Sequence, residues 1–133
     1  MAQDVVGPEG SERGEPAVRT LAMPADTNPS GDIFGGWVIA QMDLAAGIVA
    51  SRRAQGRVAT VALDGLSFHL PVRVGDLVSC HACVVRVGRT SMTIKVETYV
   101  LRHMTHEEVK VTEGHFTMVA IDAEGRPRPV PQI

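Results

Sequence analysis

The chain has 133 residues, of which 44% are hydrophobic and 21% are charged, and its formal net charge at pH 7 is −2. This length suits one domain with a real core, and the balanced charge gives no electrostatic footprint for nucleic acid or an anionic membrane surface. Residues 1–17 are polar and contain several Gly and Pro residues, without the apolar segment of a signal peptide. We therefore predict a disordered tail over 1–17, a single domain over 18–133 and a cytoplasmic location.

Turn signals and apolar patterns divide the rest of the chain into a short strand, a long helix and four long strands. A strand over 18–23 leads into the turn-rich segment PADTNPSGD and then into a helix that begins near Gly35, ends near Arg53 and has Gly56 as a stop signal. The predicted ranges of the later strands are 57–68, 77–87, 91–104 and 109–121.

The predicted helix is apolar nearly all round, so it has to be enclosed by other elements. The economical solution is an α+β fold in which a curved antiparallel sheet of about five strands wraps a long central helix, with the four long strands in meander-like order. The edge strands of such a sheet need pairing or covering, so we expect a dimer or a larger assembly.

Asp43 is the one charged residue in the run from 33 to 51, IFGGWVIAQMDLAAGIVAS. Ionised carboxylates are almost never fully buried unless they are paired. In a regular helix Asp43 shares a stripe with Gly36, Ala40 and Gly47, whose small size leaves space beside the acid. Two interpretations stay open: a carboxylate with a chemical role in a cavity, or a structural group satisfied by a hydroxyl or an amide.

The start of the predicted helix favours the chemical role. The amides of Gly35 and Gly36 have no acceptor within a helix N-terminus and are sterically open, so they can stabilise a carbonyl oxygen that gains negative charge. With Asp43 two turns further on, this arrangement suits the attack of water on an acyl carbonyl. Asn28 could add an amide that orients water or substrate, while its setting equally fits an Asx turn.

The cysteine and histidine patterns of the later strands are interpreted as structural. Cys80 and Cys83 form a C-x-x-C in a predicted strand, where residues three apart face opposite sides of the sheet. A redox pair requires a helix N-terminus and a zinc site a second ligand pair. The spacing of His103 and His106 at a strand end does not converge on one ion. We therefore predict no metal site.

The segment MPADTNPSGDIFGGWVIAQMDLAAGIVASRR resembles the active-site segment of the hotdog-fold acyl-CoA thioesterases of the YciA and brain acyl-CoA hydrolase type. The resemblance continues through RVATVALDGLSFHLPVRVGDLVSCHA, VGRTSMTIKVETYV and FTMVAIDAEGRPRPVP, and so covers nearly the whole chain after the tail. The fold of that family, a helix wrapped by an antiparallel sheet, agrees with the predicted layout.

This resemblance implies hydrolysis of acyl-CoA to a free acid and CoA without a metal or organic cofactor, within fatty acid metabolism. It assigns the essential carboxylate to Asp43, as general base or as nucleophile, and an active-site amide to Asn28. The two residues are expected to come from different subunits, so the dimer is the minimal active unit, and a trimer of dimers is common among relatives. Gly36 remains the candidate oxyanion donor, with Gly35 as its neighbour.

The same resemblance directs the CoA moiety to the connection that contains Gly88, Arg89, Thr90 and Ser91. A guanidinium, two hydroxyls and a glycine suit a phosphorylated nucleotide, although a plain hairpin connection would use similar residues. Arg57, just beyond the helix, is a second candidate for CoA binding.

Two other functions on the same fold stay open as alternatives. Hotdog hydratases and dehydratases use a histidine beside the central helix, and residues 20–53 contain none. A non-catalytic acyl-CoA or nucleotide sensor needs no carboxylate in the cavity and usually carries an added regulatory segment. The sequence therefore favours a thioesterase.

Overall fold

One long helix and five strands make up the computed structural model, which describes residues 13–132. The helix begins at the predicted residue, and the third strand has the predicted bounds. The elements in chain order are β1 (Val18–Leu21), a 3-10 turn (Pro24–Asp26), α1 (Gly35–Ala54), β2 (Val58–Phe68), β3 (Leu77–Val87), β4 (Ser91–Leu101) and β5 (Glu108–Ala120).

The strands form one antiparallel sheet in the order β1-β3-β4-β5-β2. Strands β3, β4 and β5 follow one another as the predicted meander. The prediction of meander order is wrong for β2, which pairs with β5 at one edge while β1 pairs with β3 at the other. The reason is that α1 links β1 to β2 and carries the chain across the face of the sheet, from one edge to the opposite one.

The core lies between α1 and one face of the sheet, and α1 contacts all five strands. Alternate residues of β4 point to the helix, and Ile94 lies beside Phe116 of β5 at the centre of this face. The buried side of α1 is mostly alanine, which lets the sheet approach closely: Val38, Met42, Ala45, Ala46, Ala50 and Ala54. The predicted α+β layout, a central helix enclosed by an antiparallel sheet, is confirmed.

A buried ion pair joins the turn before β3 to the end of β4. Asp76 is 2% exposed, and its Oδ2 accepts hydrogen bonds from Arg102 Nη1 at 2.6 Å and from the Arg73 amide at 2.8 Å. Arg102 Nη1 also donates to the Pro71 carbonyl at 3.0 Å. One carboxylate therefore accepts hydrogen bonds from both a turn amide and a guanidinium, where the start of β3 lies beside the end of β4.

Residues 13–17, which we predicted to belong to the tail, lie against the sheet. The Ala17 amide donates to the Cys80 carbonyl at 2.9 Å. Arg13 stacks 3.7 Å from the ring centroid of Tyr99 and donates to Glu108 at 2.9 Å. That ion pair lowers the pKa of Glu108. The remaining residues of the predicted tail, 1–12, lie outside the described part of the chain.

The two cysteines of β3 lie on opposite faces of the sheet, as the strand pattern predicts. Cys80 belongs to the core, and its Sγ lies 3.4 Å from the Thr98 hydroxyl, whereas Cys83 is paired in register with Lys95 on the other face. Both are free thiols. Burial raises the pKa of the Cys80 thiol from 9.0 to about 11, because the thiolate is poorly solvated in the core.

Cys80 should therefore make the protein less stable in alkali. The folded thiol holds its proton more tightly than the unfolded one, so its contribution to stability is fully present below the unfolded pKa of 9.0 and is lost as the pH rises toward about 11. In urea titrations from pH 8 to about 11, we expect Cys80→Val to flatten the fall in the free energy of unfolding. Cys83→Val is the comparison: burial also raises the pKa of this half-buried thiol, but less, so the slope should change less. An equal slope in wild type and Cys80→Val would contradict the prediction.

Candidate active site

Asp43 lies half-buried on α1 and is held by the edge strand β2. Its Oδ1 accepts a hydrogen bond from the Thr60 hydroxyl at 2.6 Å, and Thr60 Oγ1 also lies 3.2 Å from Met118 Sδ. The second oxygen, Oδ2, has no hydrogen-bond partner among residues 13–132. The carboxylate is thus oriented through one oxygen, while the other is left for a molecule that approaches from outside.

Thr60 is a residue that the sequence did not single out. It contacts Asp43 because β2 runs back along α1 after the turn at the end of the helix. A threonine at the start of an apolar strand is an ordinary β residue. The one sequence feature that could have pointed to Thr60 was the need of Asp43 for a hydroxyl or amide partner.

The first turn of α1 presents two open amides. The amides of Trp37 and Val38 donate to the Phe34 carbonyl, whereas those of Gly35 and Gly36 have no acceptor within the described residues. A Cβ added at Gly36 would meet nothing within 4 Å. Seven residues of helix place Asp43 about 10 Å along the axis on the same face as Gly36. Packing within the chain gives no reason for a glycine here, and the open amide is free for a ligand.

Asn28 forms the Asx turn that its sequence context allowed. Its Oδ1 accepts from the amides of Ser30 at 2.9 Å and Asp32 at 3.1 Å. These bonds fix the amide plane and leave the Nδ2 group as the available donor. No hydrogen bond joins Asn28 to Asp43 within the part of the chain that the structure describes.

The turn of residues 88–91 connects β3 to β4 and is held by backbone bonds. The Gly88 amide donates to the Ser91 carbonyl at 2.7 Å, and the Ala120 amide donates to the Thr90 carbonyl at 2.9 Å. The side chain of Arg89 is exposed. Arg57, the other candidate, donates through Nη1 to the carbonyls of the turn after β5, residues 122 and 123.

The described residues contain no group of three His, Cys, Asp or Glu side chains that could hold a metal ion. Within the same residues, α1 is the one long helix, and it lacks the apolar length needed to cross a membrane.

Comparison with known proteins places the chain in a family. Residues 30–105 match the family model described as Thioesterase superfamily. The chain belongs to this superfamily. The matched segment contains the helix with Asp43, the amides of Gly35 and Gly36, and the turn of residues 88–91, so the thioesterase match covers most of the site described above.

Three relatives show how close the similarity is. The chain is 48% identical to the acyl-CoA thioester hydrolase YciA of Escherichia coli, over 90% of this chain and 92% of that one. A hexameric hotdog-fold thioesterase of Campylobacter jejuni superposes with a TM-score of 0.87 at 39% identity, covering 90% and 92%. An acyl-CoA hydrolase of Staphylococcus aureus, solved with butyryl-CoA and CoA, gives 0.79 at 31% identity, covering 86% and 70%. The predicted family and hotdog fold of this thioesterase are confirmed.

Proposed function

We propose that this thioesterase hydrolyses acyl-CoA thioesters to a free carboxylic acid and CoA. The observation that carries the proposal is the carboxylate of Asp43, fixed through one oxygen by Thr60 and left with the other free. A half-buried carboxylate on an otherwise apolar helix is a candidate for a catalytic group, and the relatives of this chain are acyl-CoA thioester hydrolases.

In the proposed reaction, water adds to the thioester carbonyl and the C–S bond breaks. Asp43 Oδ2 accepts a proton from the attacking water, or alternatively attacks the carbonyl itself to form an anhydride that water then opens. The Gly36 amide, with Gly35 beside it, donates to the oxygen that becomes negatively charged. The sulfur leaves as thiolate and is protonated to CoA. Both routes need an ionised carboxylate with one unpaired oxygen.

We propose that the active unit is a dimer in which Asn28 of one protomer meets Asp43 of the other. Two exposed apolar surfaces support this assembly. Strand β2 is an edge of the sheet and carries Val61, which is 59% exposed, while the outer side of α1 carries Leu44, which is 57% exposed. The Campylobacter relative is hexameric, and a trimer of dimers is the proposed complete assembly.

The CoA phosphates are proposed to bind at the turn of residues 88–91. Arg89 and the hydroxyls of Thr90 and Ser91 supply charge and donors, and Gly88 keeps the backbone accessible. Within residues 13–132, no carboxylate forms an ion pair with Arg57 or Arg89. The uncompensated positive charge favours a polyanion such as the nucleotide of CoA.

We propose that the reaction needs no metal or organic cofactor, because an ionised carboxylate, water and two amides supply each step. The proposed location is the cytoplasm, where reduced cysteines such as Cys80 and Cys83 are the rule. The free acid and the CoA produced are consistent with a role in fatty acid metabolism.

A panel of acyl-CoA thioesters from acetyl to palmitoyl, followed by the release of free thiol, tests the proposal. We expect the purified protein to accelerate the release of thiol from at least one of them above its rate in buffer. If the protein binds CoA thioesters in calorimetry and hydrolyses none, the non-catalytic sensor replaces the enzyme.

A further inference from the structure

The C-terminal segment of residues 126–132, here called the strap, returns along the end of the molecule that carries the turn of residues 88–91. Its Arg128 amide donates to the Ala120 carbonyl at 2.9 Å, and its Val130 amide donates to the Arg89 carbonyl at 2.8 Å. Val130 is 2% exposed and belongs to the core. The strap therefore contacts the backbone of Arg89 in the turn between β3 and β4.

Arginines fasten the strap to the end of α1 and to β5. Arg53, in the last turn of the helix, donates through Nη1 to the Pro131 carbonyl at 2.6 Å. Arg128 donates through Nε to the Ile121 carbonyl at 3.0 Å, and its Nη2 is buried without a partner among the described residues. A Cβ at Gly56 would lie 2.5 Å from that Nη2, so a larger residue there would make the guanidinium shift.

These contacts form a continuous connection from the helix to the proposed CoA turn. Arg53 donates to the Pro131 carbonyl, the preceding residue Val130 donates to the Arg89 carbonyl, and Ala120 donates to the Thr90 carbonyl. Each guanidinium bonds a neutral carbonyl and keeps its full charge. These bonds thus restrict the backbone of Arg89 without neutralising either arginine.

We infer that the strap positions residues 88–91 for the phosphates of CoA, and that Arg53 is the positioning residue that fastens it. The inference rests on the proposed function, because it names the part of the substrate that the strap serves. Arg53 acts through Pro131 and Val130, not on the reacting thioester. Its loss should weaken recognition of the nucleotide and leave the chemical step unchanged.

The test compares Arg53→Met with Arg53→Lys and Arg52→Met, using one acyl group carried either by CoA or by pantetheine, which lacks the nucleotide. We expect Arg53→Met to raise KM for the CoA thioester by about five- to tenfold, with kcat and both constants for the pantetheine thioester unchanged. Arg53→Lys keeps a charged donor and should restore KM to within about twofold of wild type. Arg52 is exposed and has the same charge, so Arg52→Met measures the effect of charge alone.

The positioning role is overturned if Arg53→Met and Arg52→Met raise KM for the CoA thioester equally. An equal rise in KM for both thioesters overturns it as well. Amide hydrogen exchange gives a second readout that needs no activity: the Val130 amide is expected to be protected in wild type and to exchange faster in Arg53→Met. Failure of the proposed function is distinguishable, because the wild-type protein would then hydrolyse neither thioester.

Discussion

We expect kcat for acyl-CoA hydrolysis to fall by about 10²- to 10⁴-fold when Asp43 is replaced by Asn. The amide has the size of the carboxylate and can still accept the hydrogen bond from Thr60, so the fold should be kept. It can neither take a proton from water nor attack a carbonyl. Thiol release with saturating acyl-CoA measures the loss, and calorimetry with CoA should show that binding is retained.

Thr60→Val should lower kcat less than Asp43→Asn does. It removes the donor that orients Asp43 but leaves the carboxylate, so kcat should fall by only about tenfold. Unaltered hydrolysis in Asp43→Asn would refute the chemical role of Asp43. Loss of activity together with a changed assembly in gel filtration would instead indicate the structural role that the sequence left open.

Asp76→Ala should lower the free energy of unfolding by about 3–5 kcal/mol, the largest stability effect that we expect from one side chain. The change leaves the largely buried guanidinium of Arg102 without its counter-ion and removes the acceptor of the Arg73 amide. Urea unfolding followed by circular dichroism measures the difference.

Glu108→Ala is the matched control, because Glu108 also pairs with an arginine but is half exposed. We expect it to cost less than about 1 kcal/mol, since solvent screens the pair. Equal losses of unfolding free energy in the two variants would mean that the burial of Asp76 does not strengthen its ion pair. The double variant Asp76→Ala with Arg102→Met should recover part of the loss, since no charge is then left unpaired.

Local patterns in the sequence predicted most of the fold. The apolar run around Asp43 and the Gly35-Gly36 pair fixed the helix and its start, and the alternation in Leu77–Val87 gave β3 with its observed bounds. The position of β2 at the far edge could not be predicted this way. Its residues look alike whether β2 pairs with β3 or β5, and the choice depends on how α1 crosses the sheet.

The sequence predicted those parts of the candidate site in which a residue is unusual for its position. A lone acid in an apolar helix and two glycines at its start are such cases. The roles of Thr60 and of the strap could not be predicted. The bonds from Thr60 to Asp43 and from Arg53 to Pro131 join residues that are far apart in sequence. The burial of Val130 near the Pro-rich end of the chain was likewise not predicted.

Mixing two inactive variants tests most directly whether the site is built across two protomers. Asp43→Asn and Asn28→Ala should each be nearly inactive alone. When they are unfolded, mixed in equal amounts and refolded together, half of the dimers combine both variants, and each of these contains one intact site. We therefore predict recovery of about a quarter of wild-type activity. No recovery, from mixed dimers shown by mass spectrometry to have formed, would contradict a site shared between protomers.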